Sequence, residues 1–160
     1  MRISALLALA AAFLATALPA QAEKIRIGVT PGPHAQIMEV VKKEAAAQGL
    51  DLEVLEFSDY VVPNAALDSG DLDANSFQHQ PYLDNQIADR GFKLVTVGKS
   101  VTFPLGVFAS KVKSLDALPK GAKIAIPNDP TNGGRALLLL SHEGLIGVDP
   151  KAGLKATVLD

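Results

Sequence analysis

The 160-residue sequence contains no cysteine and no tryptophan, and only 5% of its residues are aromatic. The lack of cysteine excludes disulfide bonds, thiolate nucleophiles, cysteine-ligated zinc and the attachment of a lipid to a cysteine. The formal charge is only −2, from 15 basic and 17 acidic residues. Proteins that bind nucleic acids draw much of their affinity from a concentrated basic surface, so this balance argues against that class.

The hydrophobic content is high enough for a packed core. Hydrophobic residues make up 48% of the chain and charged residues 20%, which is typical of globular rather than disordered proteins. The length allows one ordinary domain, or one domain and part of another. Because aromatic residues are scarce, a place where several of them cluster is a candidate site.

The first 22 residues form a predicted export signal. Arg2 gives a positively charged start, residues 3–18 are almost all apolar, and residues 19–22 read Pro-Ala-Gln-Ala, a small-x-small pattern of the kind that signal peptidase cleaves. The apolar run is short for a membrane span, which needs about 20 residues. We therefore expect cleavage after Ala22 and export to the periplasm; the alternative is a retained N-terminal anchor.

Hydrophobic patterning predicts alternating strands and helices in the rest of the chain. Apolar and polar residues alternate in residues 24–29 and 50–57, and residues 34–48 between them have helical spacing. Such a βαβ unit has parallel strands, so we predict an α/β fold with a mainly parallel sheet. Further strands are predicted at 74–78, 92–97, 104–109, 123–126 and 154–159, and further helices at 59–67, 81–89, 114–118 and 134–143.

Several local patterns begin like known motifs but lack required residues. The turn after the first strand has no G-x-G-x-x-G dinucleotide pattern. Residues 71–75 begin like a calcium loop, but the glycine and the glutamate that such a loop needs are missing. His142 and Glu143 are not followed by the second histidine of a zinc motif. We therefore predict no metal, no cofactor and no catalytic constellation.

Aromatic residues cluster between residues 60 and 82. Phe77 and His79 point to the same face if this segment is extended, Tyr82 follows Pro81 at a predicted helix start, and Tyr60 lies upstream. Ligands in open α/β sheets bind at such strand ends. Spacing alone favours Phe77 and Tyr82 as core residues and His79 as a capped or solvated histidine; a ligand-binding wall is the alternative.

A polar, glycine-containing turn, residues 128–134, leads into the predicted helix 134–143. We expect Thr131 or Asn132 to cap this helix and the glycines to leave backbone N–H groups open to an anion. Arg135 in the first turn opposes the helix dipole, which makes sense if it holds a carboxylate. A surface arginine after an ordinary turn is equally compatible with the pattern. An aromatic wall with a carboxylate clamp would suit a small amino-acid-like ligand.

Four runs of the sequence carry a resemblance to a known family. They are residues 27–34 (IGVTPGPH), 57–64 (FSDYVVPN), 73–84 (DANSFQHQPYLD) and 127–132 (PNDPTN). Over residues 24–160 the chain resembles the methionine-binding, NlpA-type lipoproteins, which are the substrate-binding components of methionine ABC importers. The runs ANSFQHQPYLD and PNDPTN are highly specific to this family.

The resemblance implies a two-lobe fold like that of periplasmic binding proteins, closing on L- or D-methionine. We expect a signal peptide in residues 1–22, a nearly complete first α/β lobe in 23–103 and a truncated second lobe in 104–160, because family members continue for roughly a hundred residues more. The resemblance also implies a pocket for the ligand side chain and a partner for its carboxylate. The pocket residues would be Tyr60, Phe77, His79 and Tyr82, and the carboxylate partner Arg135.

The implied function is that of a periplasmic substrate-binding protein, not an enzyme, that delivers methionine to an ABC importer. Its partners would be the importer's permease and ATPase subunits. Because the chain lacks the lipidated cysteine of the family, we expect it to meet the membrane only through the transporter. The alternatives are the same fold binding another amino acid or a short methionine-containing peptide, or a non-functional fragment.

Overall fold

The computed structural model describes residues 23–160; the predicted export signal, residues 1–22, lies outside the described residues. The fold is α/β with a three-stranded parallel sheet, as predicted. The strands are β1 (Lys24–Val29), β2 (Asp51–Glu56) and β3 (Ala74–Ser76), in the order β2-β1-β3. The helices are α1 (Pro33–Ala47), α2 (Val62–Asp68), α3 (Gln80–Arg90) and α4 (Pro130–His142), with short 3-10 helices at Leu115–Ala117 and Gly153–Lys155.

The predicted βαβ unit is confirmed, and it forms the centre of the sheet. β1 pairs with β2 from Lys24 opposite Asp51 to Val29 opposite Glu56. Since parallel strands need a crossover, α1 returns the chain over one face of the sheet. Val29 is fully buried there against the apolar face of α1. α1 ends where Gly49 takes up a left-handed conformation, as expected of a glycine that follows a helix.

Four predicted strands are absent from the structure described for residues 23–160, so these predictions were wrong. They are residues 92–97, 104–109, 123–126 and 154–159. A strand requires a neighbour that completes its hydrogen bonds, and the described residues supply none to these segments. Their apolar side chains are accordingly open to solvent: Val97 and Phe108 are both 93% exposed. At the last segment, the Asp160 carboxylate instead accepts hydrogen bonds from the backbone N–H and hydroxyl of Thr157 and closes a turn.

Helix α4 begins four residues earlier than predicted, because Asp129 caps it. The Asp129 carboxylate accepts a hydrogen bond from the backbone N–H of Asn132 at 2.8 Å, and Pro130 occupies the first helical turn, where its missing N–H is no loss. α4 packs against α3 and against the second 3-10 helix. Within residues 23–160, no helix combines the length and the apolar character that crossing a membrane requires.

Candidate functional site

A cleft of about 1370 Å³ opens at the carboxyl end of β3. Four of the five predicted site residues line it: Tyr60, Phe77, His79 and Arg135. This is the end of a parallel sheet at which α/β proteins bind ligands. Pockets for small molecules usually measure about 300–1000 Å³, so the described residues line an open cleft rather than a closed pocket.

The aromatic residues of the predicted wall pack directly on one another. The ring centroids of Tyr60 and Phe77 lie 4.9 Å apart at an interplanar angle of 78°, and those of Tyr60 and Tyr82 lie 4.7 Å apart. The imidazole of His79 is stacked nearly parallel on Tyr82, with centroids 6.4 Å apart. Edge-to-face and offset-stacked pairs are the favourable arrangements for aromatic rings. The structure therefore brings all four predicted aromatic residues into one cluster.

Within this cluster, Tyr82 lies at the back and does not line the surface of the cleft. It is fully buried, and its hydroxyl donates a hydrogen bond of 2.8 Å to the carbonyl oxygen of Tyr60. Burial raises the pKa of Tyr82 to about 12 and also raises the pKa of Tyr60. Both phenols are therefore neutral at physiological pH, and Tyr82 holds Tyr60 in place from behind.

His79 occupies the position just before α3 and has an unsatisfied nitrogen. Its Nε2 is buried and has no hydrogen-bond partner among the described residues. Burial, and then the nearby positive charge of Arg135, lower the pKa of His79. The imidazole is therefore neutral at pH 7, and its Nε2 remains available for a hydrogen bond to a ligand.

A network of three amide side chains, which no pattern in the sequence indicates, supports the wall. The fully buried Asn64 of α2 and Gln78 exchange two hydrogen bonds of 2.7 Å each, one through each end of the amide. Nδ2 of Asn75, in β3, donates a third bond to the side-chain oxygen Oδ1 of Asn64 at 3.0 Å. Because Gln78 lies between Phe77 and His79 in the sequence, the network ties these two residues to α2.

Arg135 projects into the cleft from the second turn of α4, not from the first as predicted. The cap is Asp129 rather than Thr131 or Asn132. The N–H of Gly133 already donates to the carbonyl oxygen of Asp129 at 2.9 Å, so it is not open to an anion as predicted. The positive charge available to an anion in this part of the cleft is therefore the guanidinium group itself, which donates to Asn132 Oδ1 at 2.8 Å.

His34 forms a further part of the cleft that the sequence did not indicate. It lies at the start of α1, with Phe103 edge-on at a centroid distance of 5.4 Å. Its Nδ1 lies 3.4 Å from the hydroxyl of Ser76, which is longer than a nucleophile–base hydrogen bond of about 2.6–3.2 Å. Within residues 23–160 no carboxylate is hydrogen-bonded to His34 to orient it. The pair lacks the geometry of a catalytic dyad.

The chemistry of the cleft is that of a binding site for a small amphiphilic molecule. Tyr60, Phe77 and His79 line it with aromatic groups, and Arg135 adds a guanidinium group. Aromatic faces favour apolar or sulfur-containing groups, while arginine favours carboxylates through charge-assisted hydrogen bonds.

Known proteins are similar to this chain over nearly all of the described residues. The sequence profile of the NlpA lipoprotein family matches residues 25–160. The D-methionine-binding lipoprotein MetQ of Salmonella typhimurium is 53% identical over 137 residues, which are 85% of this chain and 51% of that protein. The chain thus spans about half the length of the curated relatives it matches.

Solved structures give the same picture for the fold. A crystal structure of the methionine-binding protein MetQ superposes with a TM-score of 0.82 at 52% sequence identity, covering 86% of this chain and 56% of the other. A nutrient-binding protein from Burkholderia cenocepacia, solved with bound methionine, superposes with a TM-score of 0.80 at 54% identity, covering 85% of this chain and 58% of the other.

Proposed function

The chain belongs to the NlpA lipoprotein family and has the α/β fold of MetQ-type periplasmic binding proteins, and from this premise we propose that its cleft binds methionine. The observation that carries the proposal is the presence of the aromatic cluster and Arg135 on the same cleft. The methionine thioether would lie against Tyr60 and Phe77, where each sulfur–aromatic contact contributes about 0.3–1.5 kcal/mol. The carboxylate would pair with Arg135.

The two ends of the proposed ligand are recognised by different physical means. Arg135 selects molecules with a carboxylate, because a site built around a charged hydrogen-bond donor rejects ligands that leave it unpaired. The unsatisfied Nε2 of His79 supports a further hydrogen bond to the ligand. One relative is named a D-methionine-binding protein and one solved relative holds methionine, so D-methionine and L-methionine are both tested.

A short methionine-containing peptide is the second candidate ligand. The observation in its favour is that the lining of the cleft continues beyond the aromatic cluster and Arg135 to His34. Arg135 would then bind the carboxylate of the terminal residue, and the rest of the peptide would extend past His34.

The proposed role is delivery of the ligand to an ABC importer made of permease and ATPase subunits. The proposed location is the periplasm, reached through the export signal in residues 1–22. Contact with the membrane would be made through the transporter. Support for this assembly comes from family membership.

Calorimetric titration with a set of ligands tests the proposal. The full chain is titrated with L-methionine, D-methionine, norleucine and methionyl-alanine, in parallel with a chimera in which the part of the Salmonella relative not covered by this chain is appended after Asp160. We expect methionine to bind more tightly than norleucine, which lacks the sulfur. Binding by the chimera alone would assign the site to the longer protein. If neither protein binds methionine or the dipeptide, the ligand assignment is wrong.

A further inference from the structure

We propose that Asn132 is a positioning residue that holds the Arg135 guanidinium group, through an anchor at Asp129, in the orientation that receives a ligand carboxylate. The inference rests on the proposed function, since it concerns the same cleft. It adds a residue that touches the arginine rather than the apolar part of the ligand.

The Asp129 carboxylate fixes the position of the Asn132 amide. One oxygen of Asp129 accepts hydrogen bonds from the backbone N–H of Asn132 at 2.8 Å and from the Thr131 hydroxyl at 2.9 Å. Its other oxygen accepts from Nδ2 of Asn132 at 3.0 Å. Asn132 is therefore attached to the same carboxylate through both its backbone and its side chain.

The two hydrogen-bond partners of the Asn132 amide determine its orientation. The carboxylate of Asp129 only accepts hydrogen bonds, so the Asn132 NH₂ group must face it. The amide oxygen then faces the opposite way, where it accepts a hydrogen bond from Nη1 of Arg135 at 2.8 Å. The guanidinium group only donates, so both ends of the amide are matched.

The Asn132 amide orients the Arg135 guanidinium group without neutralising its positive charge. Among residues 23–160 no carboxylate lies within ion-pair distance of Arg135, and both Asp129 oxygens are engaged in the cap. The guanidinium charge is therefore not neutralised by an ion pair, and four of its five N–H groups have no hydrogen-bond partner among the described residues. A side chain held in its bound orientation loses less conformational freedom when the ligand arrives, which raises affinity.

The variant Asn132→Ala tests the proposal, with Thr131→Val as the matched control. Both changes remove one side-chain hydrogen bond to Asp129, but only Asn132→Ala also removes the contacts of the amide with Arg135 and with the Tyr60 hydroxyl. Because methionine and methioninol share the thioether, loss of the Tyr60 contact affects both ligands alike. Binding of methionine and of methioninol, which lacks the carboxylate, is measured on whichever protein of the preceding titration binds methionine. We expect Asn132→Ala to lower the ratio of the two affinities about tenfold and Thr131→Val to leave it unchanged.

An NMR measurement without ligand tests the role of Asn132 independently of whether methionine is the ligand. Slow rotation of a held guanidinium group gives resolved Nη signals in low-temperature ¹⁵N NMR spectra, and residues 23–160 contain only Arg26, Arg90 and Arg135. We expect resolved Arg135 signals that merge in Asn132→Ala, while those of Arg26, held by Asp73, stay resolved. Arg135 signals that are unchanged in Asn132→Ala, or an equal loss of affinity for methionine and methioninol, would overturn the proposal. Failure of methionine to bind, with the Arg135 signals merging as expected, would refute the proposed ligand and leave Asn132 as the residue that orients Arg135.

Discussion

Replacing Asn64 with alanine should cost more stability than any other single amide substitution in the described part of the chain. Asn64 is fully buried and takes part in three side-chain hydrogen bonds, two of 2.7 Å with Gln78 and one of 3.0 Å with Asn75. A hydrogen bond contributes about 1 kcal/mol net. Since Gln78 and Asn75 are only partly buried and regain some water contacts, we expect a total loss of about 3 kcal/mol.

Urea unfolding monitored by circular dichroism measures this loss, and Asn85→Ala is the matched control. Asn85 is also a helical asparagine, and its one side-chain hydrogen bond, of 3.0 Å, goes to the exposed Asp89. Both variants gain the same helix propensity, about 0.6 kcal/mol at most, so this contribution cancels when they are compared. Asn85→Ala also removes an Oδ1 that is buried without a hydrogen-bond partner among the described residues, so we expect it to leave the free energy of unfolding unchanged or to raise it.

A double-mutant cycle with Gln78→Ala locates the energy within the network. Two of the three hydrogen bonds of Asn64 go to Gln78, so the coupling free energy should be about 2 kcal/mol. A loss below about 1 kcal/mol for Asn64→Ala, or additive effects of the two substitutions, would refute the reasoning that the amides act as one unit.

Three further substitutions test the packing, the wall and the sheet edge. Gly134→Ala would place a Cβ against the backbone carbonyl of the second 3-10 helix and should lower the free energy of unfolding by about 1–3 kcal/mol; a gain, as helix propensity alone predicts, would contradict this. Tyr82→Phe removes the hydrogen bond to the Tyr60 carbonyl and should cost about 1 kcal/mol in the same assay, whereas no change would show that the bond does not stabilise the wall. Arg26 lowers the pKa of Asp73 to about 2, so the stability from this pair should be present above about pH 4 and decline as the pH falls towards 2; a stability difference between wild type and Asp73→Asn that does not shrink over this range would refute it.

The central βαβ unit could be predicted from the sequence because its signals are local. Residues 24–29 alternate in polarity, α1 has apolar residues at helical spacing, and Gly49 follows the helix. The sequence also identified the four aromatic residues of the cluster. Spacing alone favoured a core role for Phe77 and Tyr82, and the structure buries both, with exposed fractions of 5% and 0%.

The features that sequence reasoning missed depend on contacts between distant segments. The alternation in residues 92–97 is real, but a strand forms only beside a partner, and the described residues provide none. The pairing of Asn64 with Gln78 joins a helix to a strand end 14 residues away, and asparagine and glutamine carry no periodic signal. The start of α4 was misplaced because Asp129, rather than the following Thr131 or Asn132, supplies the cap.

Methionine labelled with ¹³C at its methyl group tests whether the ligand lies between the aromatic cluster and Arg135. Nuclear Overhauser contacts from this methyl group to the chain show where the thioether lies when the ligand is bound. We expect contacts to ring protons of Tyr60 and Phe77, which line the same cleft as Arg135. We also expect these contacts to be lost in Arg135→Ala at the same ligand concentration. Bound methionine whose methyl group contacts neither ring, or whose contacts persist unchanged without Arg135, would contradict this placement of the ligand.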